Sequence, residues 1–502
     1  MNPSTQCHFC GSKGKRPCPA VGGMICPHCC GSKRGSEIFC PSDCYFYPFG
    51  PAQYDSFLAI EASFDRKSLE YIVRYYGKDK WYETLDRMAV SESDTESGGI
   101  IAAGAAAYYL LFHEKNDSGR TLAEEWEKEN CSGLNNDERI ILKARKNSSA
   151  TVIEIQKLLD HQTMECIDLF NQSRSPFSVI DRRTAAQMPR FTRILTWIDD
   201  YPYFSRLGAG GIVISDILRR EGMEIIEKIV KRRGKPDEKT VKRYLSENFG
   251  EAAHMLTELA FEKTKAMFRS MDVHECIATY DIVREPDKIK EILDTYPEFQ
   301  REEECEQHGT VEYTWLRIGR SKAIEKSMFP LFRHKEDEEM VGTLGKIRVY
   351  SDRLEVEAFS KQKYEFAKKM AEKYFGSKIC LKRESVVDLA KQVAERERED
   401  FEEDEDEDSE AEMPESIPLE LRQTVMAQFF REHYTKFLDD SVPALKGMSP
   451  REAAKDPAMR PALLELMKEH IRGIENQNKK QGLQISLDWV LEELGLLELK
   501  SP

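Results

Sequence analysis

The chain has 502 residues and a formal net charge of −15, with 40% hydrophobic and 10% aromatic residues. A chain of this length is longer than one hydrophobic core usually supports, and its apolar content excludes a fully disordered chain. We therefore expect roughly two to four domains. Eleven acidic residues fall within 399–412, and their removal leaves a balance of −4, which excludes a large field of one sign over the folded parts.

The first 50 residues form a cysteine-rich module. They contain eight of the 13 cysteines, in the spacing C-x2-C-x7-C-x7-C-x2-C-C-x9-C-x3-C. Eight thiols can complete two tetrahedral four-thiolate sites, the geometry that Zn²⁺ takes in structural roles. Because the adjacent Cys29 and Cys30 point in different directions, we predict a cross-braced finger with two zinc ions. The predicted ligands are Cys7, Cys10, Cys26 and Cys29 for one ion, and Cys18, Cys30, Cys40 and Cys44 for the other.

Alternatives for these cysteines stay open at this point. His8 and His28 lie inside the two C-x2-C pairs and can replace a thiol, so the pairing of ligands between the two ions is undetermined. Disulfides are disfavoured because the N-terminal residues contain no apolar leader, which favours a reducing cytoplasm. An iron–sulfur cluster needs only four cysteines and leaves the others without a role.

Residues 51–147 are predicted to be a helical segment, because apolar residues recur there at helical intervals. The longest apolar run, 98–112, has fifteen residues and is too short to cross a bilayer comfortably. We therefore expect a buried helix at this position and no membrane contact.

Residues 148–215 change to a β pattern. β-branched and aromatic residues form five short runs between turn formers, which predicts an antiparallel meander or a small barrel. The motif GAGG at 208–211 lies between two such runs and is not followed by a lysine. It is therefore predicted to be a hairpin turn and not a phosphate-binding loop.

The rest of the chain alternates between helical, mixed and charged segments. Residues 216–271 are helical and carry the main basic concentration outside the module, between Arg219 and Arg243. Residues 272–395 follow a ββαβ order, with a helix between Ser360 and Gly376. An acidic, disordered linker at 396–416 precedes a helical partner-binding domain at 417–502. Together these segments predict an α+β multidomain fold.

Two stretches resemble known families. The run CPAVGGMICPHCCGSKRGSEIFCPSDC, residues 18–44, is similar to the cysteine-rich start of a group of uncharacterised bacterial proteins. This resemblance implies metal binding and a bacterial cytoplasmic origin. The run VPALKGMSPREAAKDPAMRPALLELM, residues 442–467, followed by LDWVLEELGL, resembles the toxin-binding domain of MbcA/ParS/Xre-type antitoxins. That resemblance implies a helical tail that binds a protein partner.

These features favour a non-catalytic zinc protein that acts as an interaction or regulatory adaptor in the cytoplasm. The module and the helical tail are its two expected binding ends, and a protein is the expected partner. One alternative is a nucleic-acid-associated zinc finger that contacts phosphates through Lys33, Arg34 and the basic face between Arg219 and Arg243.

A second alternative is an enzyme whose site is assembled from residues that are distant in sequence. His161, His274 and Glu275 are its first candidates, because they offer acid–base groups. The chain contains no Walker, G-x-S-x-G or H-E-x-x-H motif, so no catalytic residue is assigned from sequence.

Overall fold

A computed structural model describes the chain in several stretches. The described residues are 5–89, 96–171, 173–218, 222–224, 226, 238–269, 274–283, 286–302, 310–318, 341–389, 391–392 and 419–500. The acidic linker predicted at 396–416 lies outside them. Two compact units are present: Met1–Ala260 with Glu412–Pro502, and Phe261–Ala411. Helices and sheets occur in both units, which confirms the predicted α+β class.

The N-terminal module is built from short elements. β1 (Arg16–Cys18) pairs antiparallel with β2 (Gly23–Ile25), and α1 (Pro27–Lys33) follows directly. A module of this size buries little apolar area by itself. Its aromatic end therefore packs on the rest of the first unit. The ring of Phe49 lies 5.9 Å from the ring of Phe57 and 5.8 Å from the ring of Tyr201.

Helices fill most of residues 51–147. They are α2 (Tyr54–Met88), α3 (Glu96–Tyr108), α4 (Leu122–Lys128) and α5 (Asn136–Lys146), with a π-helical turn at Tyr109–His113. Capping boxes begin α4 and α5, where the side chains of Thr121 and Asn135 accept backbone hydrogen bonds. In the apolar run at 98–112, Ala105 and Leu110 are fully buried. Every helix in the described stretches is too short or too polar to cross a bilayer.

A closed five-stranded barrel follows the helices. Its strands are β3 (Ser149–Leu158), β4 (Thr163–Asp168), β5 (Phe177–Ile180), β6 (Arg193–Asp200) and β7 (Ser205–Val213). The order around the barrel is β3-β4-β5-β7-β6, with β5 and β7 parallel and the other pairs antiparallel. A short helix, α6 (Arg182–Gln187), connects β5 to β6. This Greek-key order, with a helix between the third and fourth strands, is that of OB-fold barrels.

The GAGG motif is not the hairpin turn predicted from the sequence. It lies inside β7, at a bulge in the pairing with β6. A Cβ atom on Gly208 would lie 2.4 Å from the Tyr108 hydroxyl, and one on Gly104 of α3 would lie 2.9 Å from the Cα of Ala209. The glycines are therefore needed because α3 approaches the barrel backbone closely, a long-range contact that a local turn pattern cannot reveal.

Two helices cover the outer face of the barrel. They are α7 (Glu238–Glu247) and α8 (Phe249–Arg269). The ring of Phe249 stacks on Trp197 of β6 with 4.1 Å between centroids. The outer face of β6 is therefore buried and is not open for a ligand.

The second unit is a two-layer sandwich. Its sheet has the antiparallel order β13-β8-β12-β11-β10-β9. The strands are β8 (His274–Ile282), β9 (Phe299–Arg301), β10 (Val311–Ile318), β11 (Val341–Val349), β12 (Arg353–Ala358) and β13 (Ile379–Asp388). α9 (Pro286–Thr295) and α10 (Lys361–Phe375) pack on its apolar face. On the opposite face, Glu312 pairs with Lys346 at 2.7 Å and with Arg348 at 2.8 Å.

The C-terminal helices pack on the barrel. They are α11 (Leu419–Phe437), α12 (Pro450–Ala453), α13 (Arg460–Gln481) and α14 (Asp488–Glu493). Phe191, which precedes β6, is part of their apolar core. Beside it, Arg190 Nε lies 2.5 Å from Glu475 Oε1, and Arg190 donates a further hydrogen bond to the Leu499 carbonyl at 3.0 Å. The described part of the tail thus belongs to the first unit.

Candidate metal centre

Four cysteines of the module form one tight sulfur cluster. The Sγ atoms of Cys7, Cys10, Cys26 and Cys29 all lie within 4.8 Å of one another. Cys10 Sγ and Cys26 Sγ are 3.7 Å apart. Zinc–sulfur bonds of about 2.3 Å in a tetrahedron place two sulfurs about 3.8 Å apart, whereas a disulfide needs about 2.05 Å. The spacing therefore fits a metal held by four thiolates and does not fit disulfides.

Local backbone geometry explains why these sulfurs converge. In the first pair, the Gly11 amide donates to the Cys7 carbonyl at 3.0 Å, and Gly11 has a φ of +68° that favours glycine. In the second pair, Cys26 is the N-cap of α1 and accepts a hydrogen bond from the Cys29 amide at 3.4 Å. Pro27 occupies the first helical turn, where its missing donor costs nothing. Amide donors of this kind stabilise thiolate charge.

The thiols of this cluster differ in how readily they ionise. Burial raises the pKa of Cys7, but hydrogen bonds from the backbone of Cys10, Cys26 and Phe9 outweigh it and lower the pKa to about 6. Burial and hydrogen bonds shared with Cys26 raise the pKa of Cys29 to about 12. Since metal ligands must be thiolates, a bound cation would supply the charge that keeps all four ionised.

The other four cysteines are also neighbours. Cys18, Cys30 and Cys40 are buried, and Cys44 is half-buried. Burial, with smaller contributions from the charges of Cys44, Cys30 and Cys18, raises the pKa of Cys40 to about 11, although Arg34 acts in the opposite direction. Their sulfurs are spread more widely than those of the first set. Among the described residues, the first set is the only group of three or more Cys, His, Asp or Glu ligand atoms that all lie within 4.8 Å of one another.

Arg34 is a structural residue of this second set. It is only 6% exposed and donates to the carbonyls of Cys30 at 3.1 Å and Phe46 at 2.8 Å. Its Nε lies 3.4 Å from Asp137 Oδ1 at the start of α5. The neighbouring Lys33 pairs with Glu37 at 2.5 Å. The Lys33–Arg34 pair, which the sequence suggested for phosphate contact, is therefore occupied by contacts within the first unit.

The predicted basic face between Arg219 and Arg243 is described only in part. Arg219 lies outside the described residues. Lys242 lines a polar cavity of about 380 Å³ at one end of the barrel, and its Nζ lies 2.7 Å from Oδ2 of the buried Asp168. Arg243 is exposed, 3.3 Å from Glu247. Lys242 thus forms an ion pair with a buried carboxylate of the barrel.

The residues considered for an enzyme belong to different units. His161 is exposed in the turn between β3 and β4 of the first unit. His274 and Glu275 lie on β8 of the second unit, where His274 Nε2 is 3.3 Å from Asp388 Oδ2. No catalytic role is assigned to these three residues.

Two aromatic residues beside predicted ligands were not singled out from the sequence. Phe39 precedes Cys40 and is 80% exposed, and Tyr45 follows Cys44 and is 73% exposed. In the aromatic stretch after Cys44, Tyr47 and Phe49 are buried, but Tyr45 is not. The sequence signal that could have identified these two residues is an aromatic residue directly adjacent to a predicted zinc ligand, Cys40 or Cys44.

Comparison with known proteins gave no match to a family model, to a curated protein or to a solved structure. The function is therefore argued from the side chains of the module and from the packing around it.

Proposed function

We propose that this chain is a non-catalytic adaptor for interaction or regulation, in which structural zinc holds the N-terminal module. The observation that carries this proposal is the cluster of Cys7, Cys10, Cys26 and Cys29 within 4.8 Å. Four thiolates fill a tetrahedral zinc shell and leave no open position for a substrate, which is typical of structural sites. Zinc would supply folding energy to a module that has little core of its own.

A second zinc ion on Cys18, Cys30, Cys40 and Cys44 completes the proposal. Its support is the burial of Cys18, Cys30 and Cys40 and the electrostatic effect of the other three thiols on Cys40. The two sites then interleave along the chain, so that neither half of the module folds alone.

The C-terminal helices are the proposed site for a protein partner. The support is the resemblance of 442–467 to antitoxin domains that bind toxins. Their attachment to the barrel by Arg190 and Phe191 means that a partner would meet them as part of a larger rigid surface. The partner would therefore bind the intact chain better than the isolated tail.

Cysteine substitution tests the role of the metal. Cys26→Ser in the full chain should lower the zinc content and make the module sensitive to limited proteolysis, because a four-thiolate site loses a ligand. Cys380→Ser, at an exposed cysteine of the second unit, is the matched control and should change neither. A Cys26→Ser protein with unchanged metal content and protease resistance would contradict the proposal.

A further inference from the structure

The module presents aromatic side chains to solvent in a way that is unusual for this chain. Phe39 at 80% and Tyr45 at 73% are the two most exposed large apolar side chains among the described residues. They are six positions apart in the sequence, and each is adjacent to a proposed zinc ligand. Single exposed apolar residues need no explanation, but two extreme cases in one small module do.

A hydrogen bond from another part of the first unit holds the peptide group next to each ring. The Tyr203 hydroxyl, from the loop between β6 and β7, donates to the Cys40 carbonyl at 2.7 Å. Arg34 donates to the Phe46 carbonyl at 2.8 Å. Phe39 and Tyr45 are therefore fixed next to anchored peptide groups. A ring presented by a fixed backbone loses little conformational entropy when a flat ligand stacks on it.

One cation, Arg16, lies beside the aromatic pair of Tyr45 and Phe46. The rings of Tyr45 and Phe46 are 5.1 Å apart, and the Arg16 guanidinium lies 4.4 Å from the centre of the Phe46 ring. Lys13 and Lys15 are exposed just before β1, and neither forms an ion pair with a described residue. Aromatic rings next to free cations are the combination that proteins use for single-stranded nucleic acid, where bases stack and phosphates meet charges.

We propose that the rings of Phe39, Tyr45 and Phe46, with the cations Arg16, Lys15 and Lys13, form a surface of the module that binds single-stranded nucleic acid by base stacking. This inference rests on the proposed zinc scaffold, because zinc holds the rings in position. It assigns the contact with nucleic acid to residues other than the Lys33–Arg34 pair. The adjacent barrel has a strand order that also occurs in oligonucleotide-binding proteins, but the side chains of the module carry the proposal.

Stacking must contribute more than charge at this surface. A zinc ion with four thiolates carries a formal charge of about −2, so two such sites lower the net charge of the module. Since Lys33 and Arg34 are already paired with Glu37 and Asp137, Lys13, Lys15 and Arg16 are the cations left to meet phosphates. Three contacts to a single strand give a slope of log affinity against log salt of about −2. The surface should therefore bind single strands with modest salt dependence and should disfavour duplexes, whose bases are already stacked.

The test is fluorescence anisotropy with the zinc-loaded full chain. The probe is a labelled oligothymidylate of about 12 nucleotides, compared with a duplex of the same length. Phe39→Ala and Tyr45→Ala should each weaken binding of the single strand about tenfold. Tyr82→Ala, which removes an exposed ring from α2, is the matched control and should have no effect. All variants should keep their zinc, because the substituted rings are exposed.

Three outcomes would overturn the inference. They are absence of binding by the zinc-loaded chain, equal affinity for the duplex, and full affinity after both ring substitutions. If the ring variants lose a protein partner while no oligonucleotide binds, the surface belongs to a protein and the adaptor function stands. A chain purified without zinc would instead contradict the proposed function itself.

Discussion

Lys468 of the C-terminal tail and Glu154 of the barrel are 314 residues apart in sequence, yet Lys468 Nζ lies 2.6 Å from Glu154 Oε1. The Glu154 side chain is fully buried and also pairs with Arg193 at 2.7 Å. Burial raises the pKa of Glu154, but the two cations outweigh it and hold the pKa below its usual range. The tail therefore closes on the barrel through a buried carboxylate that both parts neutralise.

Removing one of the two cations that contact Glu154 should destabilise the first unit. Lys468→Ala leaves buried Glu154 with Arg193, so we expect a loss of about 2 to 3 kcal/mol in the free energy of unfolding, measured by urea denaturation. Lys157→Ala removes a more exposed barrel ion pair with Glu165 at 3.2 Å and should cost less than about 1 kcal/mol. Equal small effects of both substitutions would show that the tail is not held by this contact.

Arg34 and Lys33 should behave differently although they are adjacent. Arg34→Ala leaves the carbonyls of Cys30 and Phe46 and the Asp137 carboxylate without their donor, so the module should unfold more easily and release zinc to a chelator about tenfold faster or more. Lys33→Ala removes an exposed pair and should change the release rate little. Release kinetics followed with a chromogenic chelator compare the two. Identical rates of zinc release in both variants would argue against the structural role assigned to Arg34.

Asp199 should make the first unit less stable as the pH rises. Burial, with a smaller contribution from the charge of Glu61, outweighs the opposite effects of Arg145 and Tyr108 and raises the pKa of Asp199 to about 6. Because the folded state binds the proton more tightly, this stabilisation is complete below about pH 4 and is lost as the pH passes 6. The free energy of unfolding of the wild type should fall by about 3 kcal/mol between about pH 4 and 6. Asp199→Asn should reduce this fall.

Thermal or urea unfolding at a series of pH values checks this expectation. The Tyr108 hydroxyl, 2.5 Å from Asp199 Oδ2, can still donate to the amide oxygen of asparagine. Asp200→Asn is the matched control, since the Asp200 side chain is exposed, and should leave the pH profile unchanged. A wild-type profile that is level over this range would contradict a raised pKa for Asp199.

Glycines in the barrel provide a steric test. Gly208→Val would place side-chain atoms where the Tyr108 hydroxyl lies and should cost about 2 kcal/mol or more in the free energy of unfolding. Gly119→Val, at a position with open space around it but a φ of +74°, is strained only by its backbone and should cost about 1 to 2 kcal/mol. A Gly208→Val protein as stable as wild type would exclude the close contact between α3 and β7.

Local pattern predicted those parts of the molecule that depend on neighbouring residues. The two C-x2-C pairs converge because a tight turn and a helix N-terminus each hold their sulfurs, and both features are encoded within a few residues. The five runs predicted as strands at 148–215 correspond to β3 through β7, since β-branched and aromatic runs between turn formers are a local signal. The helix from Lys361 begins after the predicted cap, Ser360.

Long-range contacts explain what the sequence left open. GAGG was misread because its close neighbour is Tyr108, a hundred residues away. Arg34 looked like a surface residue because its acidic partner, Asp137, lies in another segment. The packing of the tail on the barrel depends on ion pairs such as Arg190 with Glu475. Pattern reading has no access to such pairs, since either residue alone is compatible with a solvated surface.

The most direct test of the zinc scaffold is a metal measurement on the purified full chain, combined with X-ray absorption at the zinc edge. The scaffold described above predicts about two zinc ions per chain, each with four sulfur ligands at about 2.3 Å. One ion would confine the scaffold to Cys7, Cys10, Cys26 and Cys29. Iron with visible colour, no metal, or a zinc shell with an open oxygen-ligated position would contradict the account.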